Sequence, residues 1–196
     1  EPGRPNLPAT RYTYDPSKLA LPVLMKPGQP GGGPLSDTTP AHNPVSDAGA
    51  TLGRVLFYDR RLSSTQTHAC ASCHEQKRGF ANGTAFPVGV TGEPSRRNAM
   101  GLSNVQFNRA NRFFSDARVE SLERLVLMPI EDPVELASSL PLVVARLSST
   151  DFYPQLFEAA FGTPEVTAER ISWSLAQFLR SLKSFSSPFD RFWNPV

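Results

Sequence analysis

The sequence predicts an all-α domain that follows a long arm rich in proline and glycine. Between residues 47 and 185, apolar residues recur at helical spacing in several segments, and no segment shows the alternating pattern of a β-strand. Hydrophobic residues make up 39% and charged residues 19% of the 196 residues, a balance typical of a globular domain. The net charge of +2 is too small to indicate nucleic acid or a membrane surface as a partner. No apolar run approaches the ~20 residues that a transmembrane helix needs.

Residues 1–45 form the predicted arm. They contain ten of the 19 prolines and the run Gly31-Gly32-Gly33-Pro34. Proline removes backbone hydrogen-bond donors and glycine raises the entropic cost of ordering, so we expect this segment to be extended and loop-like. We assign it no chemistry and expect residues 46–196 to form the functional domain.

The first predicted helix covers residues 47–58. Ser46 or Asp47 can cap its N-terminus, and three apolar residues fall on one face: Leu52, Val55 and Leu56. Residues 62–111 then form a stretch rich in Gly, Asn, Ser and Thr. Because loops this long inside a compact domain are usually functional, we expect the site to lie here.

Four helices are predicted after this loop. The first covers residues 118–128 and ends at Pro129, because proline disfavours a helical conformation of the residue before it. The others cover residues 142–147, 151–161 and 167–185. The helix over 151–161 ends at Gly162, a residue type common at helix C-termini.

The motif Cys70-Ala71-Ser72-Cys73-His74 contains both cysteines and has the C-x-x-C-H pattern of covalent haem attachment. Two thiols on one helical turn can form thioethers with the vinyl groups on one edge of a porphyrin. The next residue then lies beneath the ring, where its imidazole can bind iron. We therefore expect one haem c, attached through Cys70 and Cys73, with His74 as an axial ligand.

Two other interpretations of the motif are weaker. A structural zinc site needs four ligands, and only His42 and His68 remain, neither at a paired spacing. A thioredoxin-like redox motif would need an α/β sheet, which the sequence does not predict. His68 lies too near the motif to reach the far face of the haem easily.

Several runs flank the motif in a fixed order. Before it come LGRVLFYD (residues 52–59) and RLSS (61–64), and after it come GFANG (79–83), Ser121-Leu122-Glu123 and SPFDR (187–191). Over about residues 46–192 the chain resembles the N-terminal, peroxidatic domain of the bacterial dihaem cytochrome c peroxidase family, which includes the MauG-type enzymes.

This resemblance implies a cytochrome-c-like helical domain whose haem reacts with hydrogen peroxide, either to reduce it or to oxidise a partner. Complete members carry a second haem domain that receives electrons, so the expected partners are such a domain or subunit, or a donor protein such as a small cytochrome or a cupredoxin. The expected location is the periplasm, because haem c is attached outside the bacterial cytoplasm. The chain begins with Glu1 and shows no signal pattern, so we expect it to have been processed from a longer precursor.

The resemblance also implies roles for single residues. Glu123 matches the family's distal glutamate, an acid and base for peroxide cleavage, and Asn98 matches a ligand of the calcium ion between the two domains. Val90 stands where many members have a histidine that caps the resting iron, which predicts an open sixth position. Two other departures are Phe113 in place of a glutamine and Ser103 in place of a tryptophan.

A second function remains open at this point. Met100 follows His74 by 26 residues and could supply a thioether as sixth ligand, which would make the domain a single-haem electron-transfer cytochrome. A third reading is a haem subunit of a larger multihaem complex. A high-spin ferric spectrum that responds to peroxide would favour the enzyme over the electron-transfer cytochrome, and a haem count by mass spectrometry would test the third interpretation.

Overall fold

The computed structural model describes residues 5, 13–14, 37–108, 110, 112–185 and 187–193. The expected arm, residues 1–45, therefore lies largely outside the described residues. Within them the chain forms α-helices, short 3₁₀ turns and three isolated bridges, with no β-strand. The predicted all-α class is confirmed.

The helices are numbered in chain order. They are α1 (Asp47–Tyr58), α2 (Cys70–Cys73), α3 (Leu122–Leu125), α4 (Met128–Glu131), α5 (Leu140–Ser148), α6 (Tyr153–Phe161), α7 (Ala168–Ser181) and α8 (Pro188–Trp193). The 3₁₀ turns cover Arg60–Leu62, Gln76–Arg78 and Val105–Phe107. None of the helices in the described part of the chain is both long and apolar enough to cross a membrane.

Hydroxyl side chains start the longer helices. The backbone N–H of Gly49 donates to Ser46 Oγ at 3.1 Å, and that of Arg170 donates to Thr167 Oγ1 at 3.1 Å. Each bond satisfies a backbone donor that has no partner within the helix, and such a cap is worth about 1 kcal/mol. Gly162 ends α6 in the left-handed conformation, at φ 78°, as its sequence position predicts.

The predicted helix over residues 118–128 is wrong in its extent, because only Leu122–Leu125 and Met128 within it are α-helical. Val119 instead forms an isolated bridge with Phe113, and Ser121 caps the single turn of α3. A second short helix, α4, runs through Pro129, which lies in its first turn and therefore breaks no helical hydrogen bond.

The last long helix also ends four residues before the predicted end at 185. The Asn104 backbone N–H donates to the Leu182 carbonyl at 2.8 Å, and the Asn104 side chain accepts from Ser184 N at 2.8 Å. These contacts hold the chain after α7 in an extended conformation, which local periodicity cannot reveal.

Helices α1 and α7 pack most extensively against each other and form the frame of the core. Two glycines of α1 allow the close approach, Gly53 facing the Ser174 carbonyl and Gly49 facing the Gln177 side chain. The buried residues along this contact include Leu52 and Leu56, along with Ile171 and Leu175. The same two helices also contribute Phe57 and Leu175 to the lining of an apolar cavity.

Candidate haem site

Helix α2 is one turn long and places its two cysteines on the same face. Cys70 and Cys73 are three residues apart, and the His74 N–H closes the turn by donating to the Cys70 carbonyl at 3.0 Å. The Ala69 N–H is satisfied by Ser72 Oγ at 3.0 Å. Both thiols are free rather than joined in a disulfide, so each is available for a thioether.

The thiols lie in an environment that suppresses redox chemistry of their own. Burial raises the pKa of Cys70 to about 12, and burial also raises the pKa of Cys73. A reactive cysteine of the thioredoxin kind has a depressed pKa instead. The direction of these shifts is therefore opposite to that of a reactive dithiol site.

The imidazole of His74 is oriented by the backbone. Its Nδ1 lies 2.9 Å from the Phe80 carbonyl oxygen, and because a carbonyl can only accept, Nδ1 carries the proton. This leaves Nε2 with the available lone pair, the arrangement usual for an iron-binding histidine. Burial lowers the pKa of His74, against smaller opposing contributions from the Phe80 and Met100 backbone, so the ring is neutral and suited to bind a metal.

An apolar cavity adjoins these three residues. The space it encloses is about 630 Å³ when the solvent-open mouth is counted. Its apolar walls come from separate parts of the chain: Phe57 of α1, Ala69, Leu102, Leu125 and Val126 around α3, Pro129, Leu136, and Leu175 and Leu179 of α7. Two thiols, a free imidazole nitrogen and apolar walls together fit a c-type haem.

The predicted distal residue, Glu123, lies outside this cavity lining. Its carboxylate pairs with Arg180 through two bonds, Nη1 to Oε1 at 2.5 Å and Nη2 to Oε2 at 3.2 Å, and also accepts from Asn43 Nδ2 at 2.8 Å. Burial tends to raise the pKa of Glu123, but the bonds from Arg180 and Asn43 outweigh it and hold the pKa below its usual value. In this arrangement Glu123 is an ionised structural partner.

The other candidate ligands do not line the cavity either. Met100 packs against the core but does not line the cavity. Val90 does not line it either, and its N–H donates to the Glu135 carbonyl at 2.8 Å. Asn98 is exposed, and its amide donates to the Thr84 and Ala85 carbonyls at 3.0 and 3.2 Å, bonds that order a turn. A calcium ion at Asn98 stays a prediction.

Two further polar side chains line the cavity, Glu135 in the turn after α4 and His68. The sequence did not single out Glu135, and it predicted that His68 lies too near the motif to reach the far face of the haem easily. His68 Nδ1 lies 2.9 Å from Thr67 Oγ1. Glu135 stands in the acidic and proline-containing run after Ile130, and nothing in its spacing distinguishes it from a surface carboxylate.

Comparisons with known proteins show what the chain is similar to. Residues 47–195 match the family model described as di-haem cytochrome c peroxidase. The methylamine utilization protein MauG of Methylorubrum extorquens is 38% identical over 159 residues, which are 81% of this chain and 44% of that protein. The cytochrome c551 peroxidase of Nitrosomonas europaea is 31% identical over 158 residues, 81% of this chain and 46% of that protein.

Solved structures give the same picture. A MauG-like protein associated with microbial copper homeostasis superposes with a TM-score of 0.74 at 31% identity, covering 86% of this chain and 50% of that one. The diheme peroxidase BthA from Burkholderia thailandensis superposes with a TM-score of 0.67 at 26% identity, covering 76% of this chain and 43% of that one. The chain spans about half the length of the curated relatives it matches.

Proposed function

The chain belongs to the di-haem cytochrome c peroxidase family, and from this premise we propose that it is a c-type haem domain that reacts with hydrogen peroxide. The reaction either reduces the peroxide or uses it to oxidise a partner. The observation that carries the proposal is the apolar cavity bordered by Cys70, Cys73 and an oriented, neutral His74. Haem, when bound, supplies the iron and the redox equivalents of this chemistry.

Each of these residues has a distinct part in the proposal. Cys70 and Cys73 fix one edge of the porphyrin covalently, and His74 Nε2 binds the iron. The Phe80 carbonyl, by holding the Nδ1 proton, sets the ring orientation and raises the basicity of the ligand nitrogen. The apolar walls exclude water from the remainder of the ring.

The same proposal includes an accessible sixth coordination position on the iron. Neither Val90 nor Met100 lines the cavity, so the position opposite His74 is predicted to hold an exchangeable ligand. This observation disfavours the electron-transfer alternative with His74 and Met100 as axial ligands. The acid and base role of Glu123 also stays a prediction, and to act there its carboxylate would have to leave Arg180 and Asn43.

The partners follow from the family. Peroxide reduction consumes two electrons, for which we propose a donor protein, either a small cytochrome or cupredoxin, or a second haem domain or subunit. Relatives named cytochrome c551 peroxidase and MauG support this class of partner. A periplasmic location is proposed on the same basis.

Optical spectroscopy of the holoprotein tests the proposal. The ferric protein is expected to be high-spin and to change its spectrum rapidly when peroxide is added. His74→Ala should abolish the native spectrum, whereas the matched control His68→Ala should retain it. A low-spin spectrum with a methionine–sulfur band and no response to peroxide would instead establish the electron-transfer function.

A further inference from the structure

Glu135 is a half-buried carboxylate on the wall of the candidate haem cavity. Within the part of the chain that the structure describes, its side chain makes no hydrogen bond or ion pair. A carboxylate without such partners is costly to keep charged, because burial removes the water that stabilises its ionised form. The proposed peroxide chemistry does not use this group.

The backbone around Glu135 is held from two sides. Asp132 Oδ1 accepts from the N–H groups of Val134 and Glu135 at 2.9 and 3.2 Å. The Glu135 carbonyl accepts from Val90 N at 2.8 Å. These bonds fix the turn after α4, so the fold itself sets the position of the carboxylate at the cavity wall.

The position of the Glu135 carboxylate relative to the haem motif follows from its effect on the motif residues. Its charge contributes to the raised pKa of both Cys70 and Cys73, after the larger effect of burial. The pKa of His74 is instead set by burial and by hydrogen bonds to the backbone, with no contribution from Glu135. The carboxylate therefore lies at the edge of the cavity where the thioethers form, rather than against the imidazole.

The charged groups around Glu135 favour its protonated form. Burial raises its pKa above the usual value of 4.5, Asp132 on the same turn raises it further, and Arg118 opposes the shift. Arg118 is itself paired with Asp116 at 2.9 Å. The other titratable side chains of the described cavity lining are His68 and the three motif residues, of which the cysteines no longer titrate once they are thioethers.

We propose that Glu135 takes up a proton when the haem iron is reduced and so couples electron entry to proton uptake at the thioether edge, an inference that rests on the haem attachment in the proposed function. A ferric haem carries one positive charge more than a ferrous haem, and this charge favours the ionised carboxylate. When the donor protein's electron removes that charge, Glu135 binds a proton from solvent through the open mouth of the cavity. The balance is Fe³⁺ + e⁻ + Glu135–COO⁻ + H⁺ → Fe²⁺ + Glu135–COOH, which leaves the net charge of the cavity unchanged.

Spectroelectrochemical titration of the holoprotein at a series of pH values tests the proposal. The wild-type reduction potential should fall as the pH rises, by up to about 59 mV for each tenfold change in proton concentration, the value for one proton per electron. Glu135→Gln resembles the protonated acid, so its potential should match the wild type at acidic pH and lose most of the slope above it. Glu131→Gln, which changes an exposed carboxylate at the end of α4, is the matched control and should keep the wild-type slope.

Parallel curves for the wild type and Glu135→Gln would overturn the proposal, because a merely structural effect shifts the potential equally at every pH. Infrared difference spectra between the ferric and ferrous proteins give a second readout. The C=O band of a protonated carboxyl should appear on reduction of the wild type and be absent from Glu135→Gln, and its persistence in the variant would also overturn the proposal. Neither measurement uses peroxide, so a holoprotein that gives both expected results but does not react with peroxide would refute the proposed function and leave this inference standing.

Discussion

At the scale of single residues, Glu123 and Arg180 form a largely buried ion pair. It joins α3 to α7 in the interior, with Arg180 3% and Glu123 14% exposed. Asn43 ties it to the segment before α1, because its amide donates to Glu123 and its Oδ1 accepts from Gln177 at 2.8 Å. Breaking a buried pair by removing one partner costs about 3–5 kcal/mol.

This pair predicts a pH dependence of stability. The pKa of Glu123 in the folded protein lies below its usual value of 4.5, so its contribution to stability is fully present above the unfolded pKa and is lost as the pH falls through the folded pKa. The free energy of unfolding of the holoprotein should therefore decline as the pH falls below about 4.5. Denaturant titrations at a series of pH values measure this decline.

Glu123→Gln is the control for that titration. It removes the titrating group, so the decline between neutral and acidic pH should be smaller than in the wild type, while the stability at neutral pH is already reduced. An identical acid slope in the two proteins would mean that Glu123 does not carry the effect.

Part of the candidate site could be predicted from the sequence. The prediction of Cys70, Cys73 and His74 as the haem site could be made from sequence because haem attachment requires them within five consecutive residues. The prediction of Glu123 rested on the family resemblance, and its place outside the cavity lining could not be predicted because that depends on the short helix α3. The Arg180 partner of Glu123 lies 57 positions further along the chain, beyond the reach of local pattern.

At the scale of elements, the contact between α1 and α7 depends on a glycine. A Cβ at Gly53 would overlap the Ser174 carbonyl, which is backbone and cannot rotate away. Gly53→Ala should therefore force the helices apart and destabilise the holoprotein by about 1–3 kcal/mol, the range for overpacked cores. Thermal or denaturant unfolding measures the change.

Gly101→Ala is the matched control for this prediction. The nearest atom to a Cβ at Gly101 is the Gly79 carbonyl oxygen at 3.9 Å, an ordinary contact. It should leave the stability almost unchanged, and an equal loss in both variants would show that the close helix approach is not the cause.

The existence of the longer helices could be predicted from the sequence, but only some of their ends could. Ser46, Thr167 and Gly162 mark ends through side-chain caps and backbone freedom that act within a few residues. The segment after residue 118 and the end of α7 are instead set by Phe113 and Asn104, which are distant or non-helical partners. Long-range hydrogen bonds override local propensity at these two places.

At the scale of the whole molecule, the domain is built around the cavity. Its walls come from α1, α3, α7 and the loops between them, so segments more than 100 residues apart in the chain contribute to one lining. Apolar walls of this kind gain contact energy when a ring fills them and lose it when the space is empty. The haem is therefore expected to fill the centre of the apolar core as well as to supply the iron.

The double variant Cys70→Ala/Cys73→Ala, prepared without covalent haem, tests this dependence. Helices with their own caps, such as α7 with Thr167, should persist, so the far-UV circular dichroism should stay largely helical. The packing around the cavity should loosen, with loss of near-UV signal and binding of a hydrophobic dye, as in a molten globule. The haem-bearing wild type is the control. A haem-free variant with native near-UV signal and no dye binding would mean that the α1–α7 frame forms a complete core without the porphyrin.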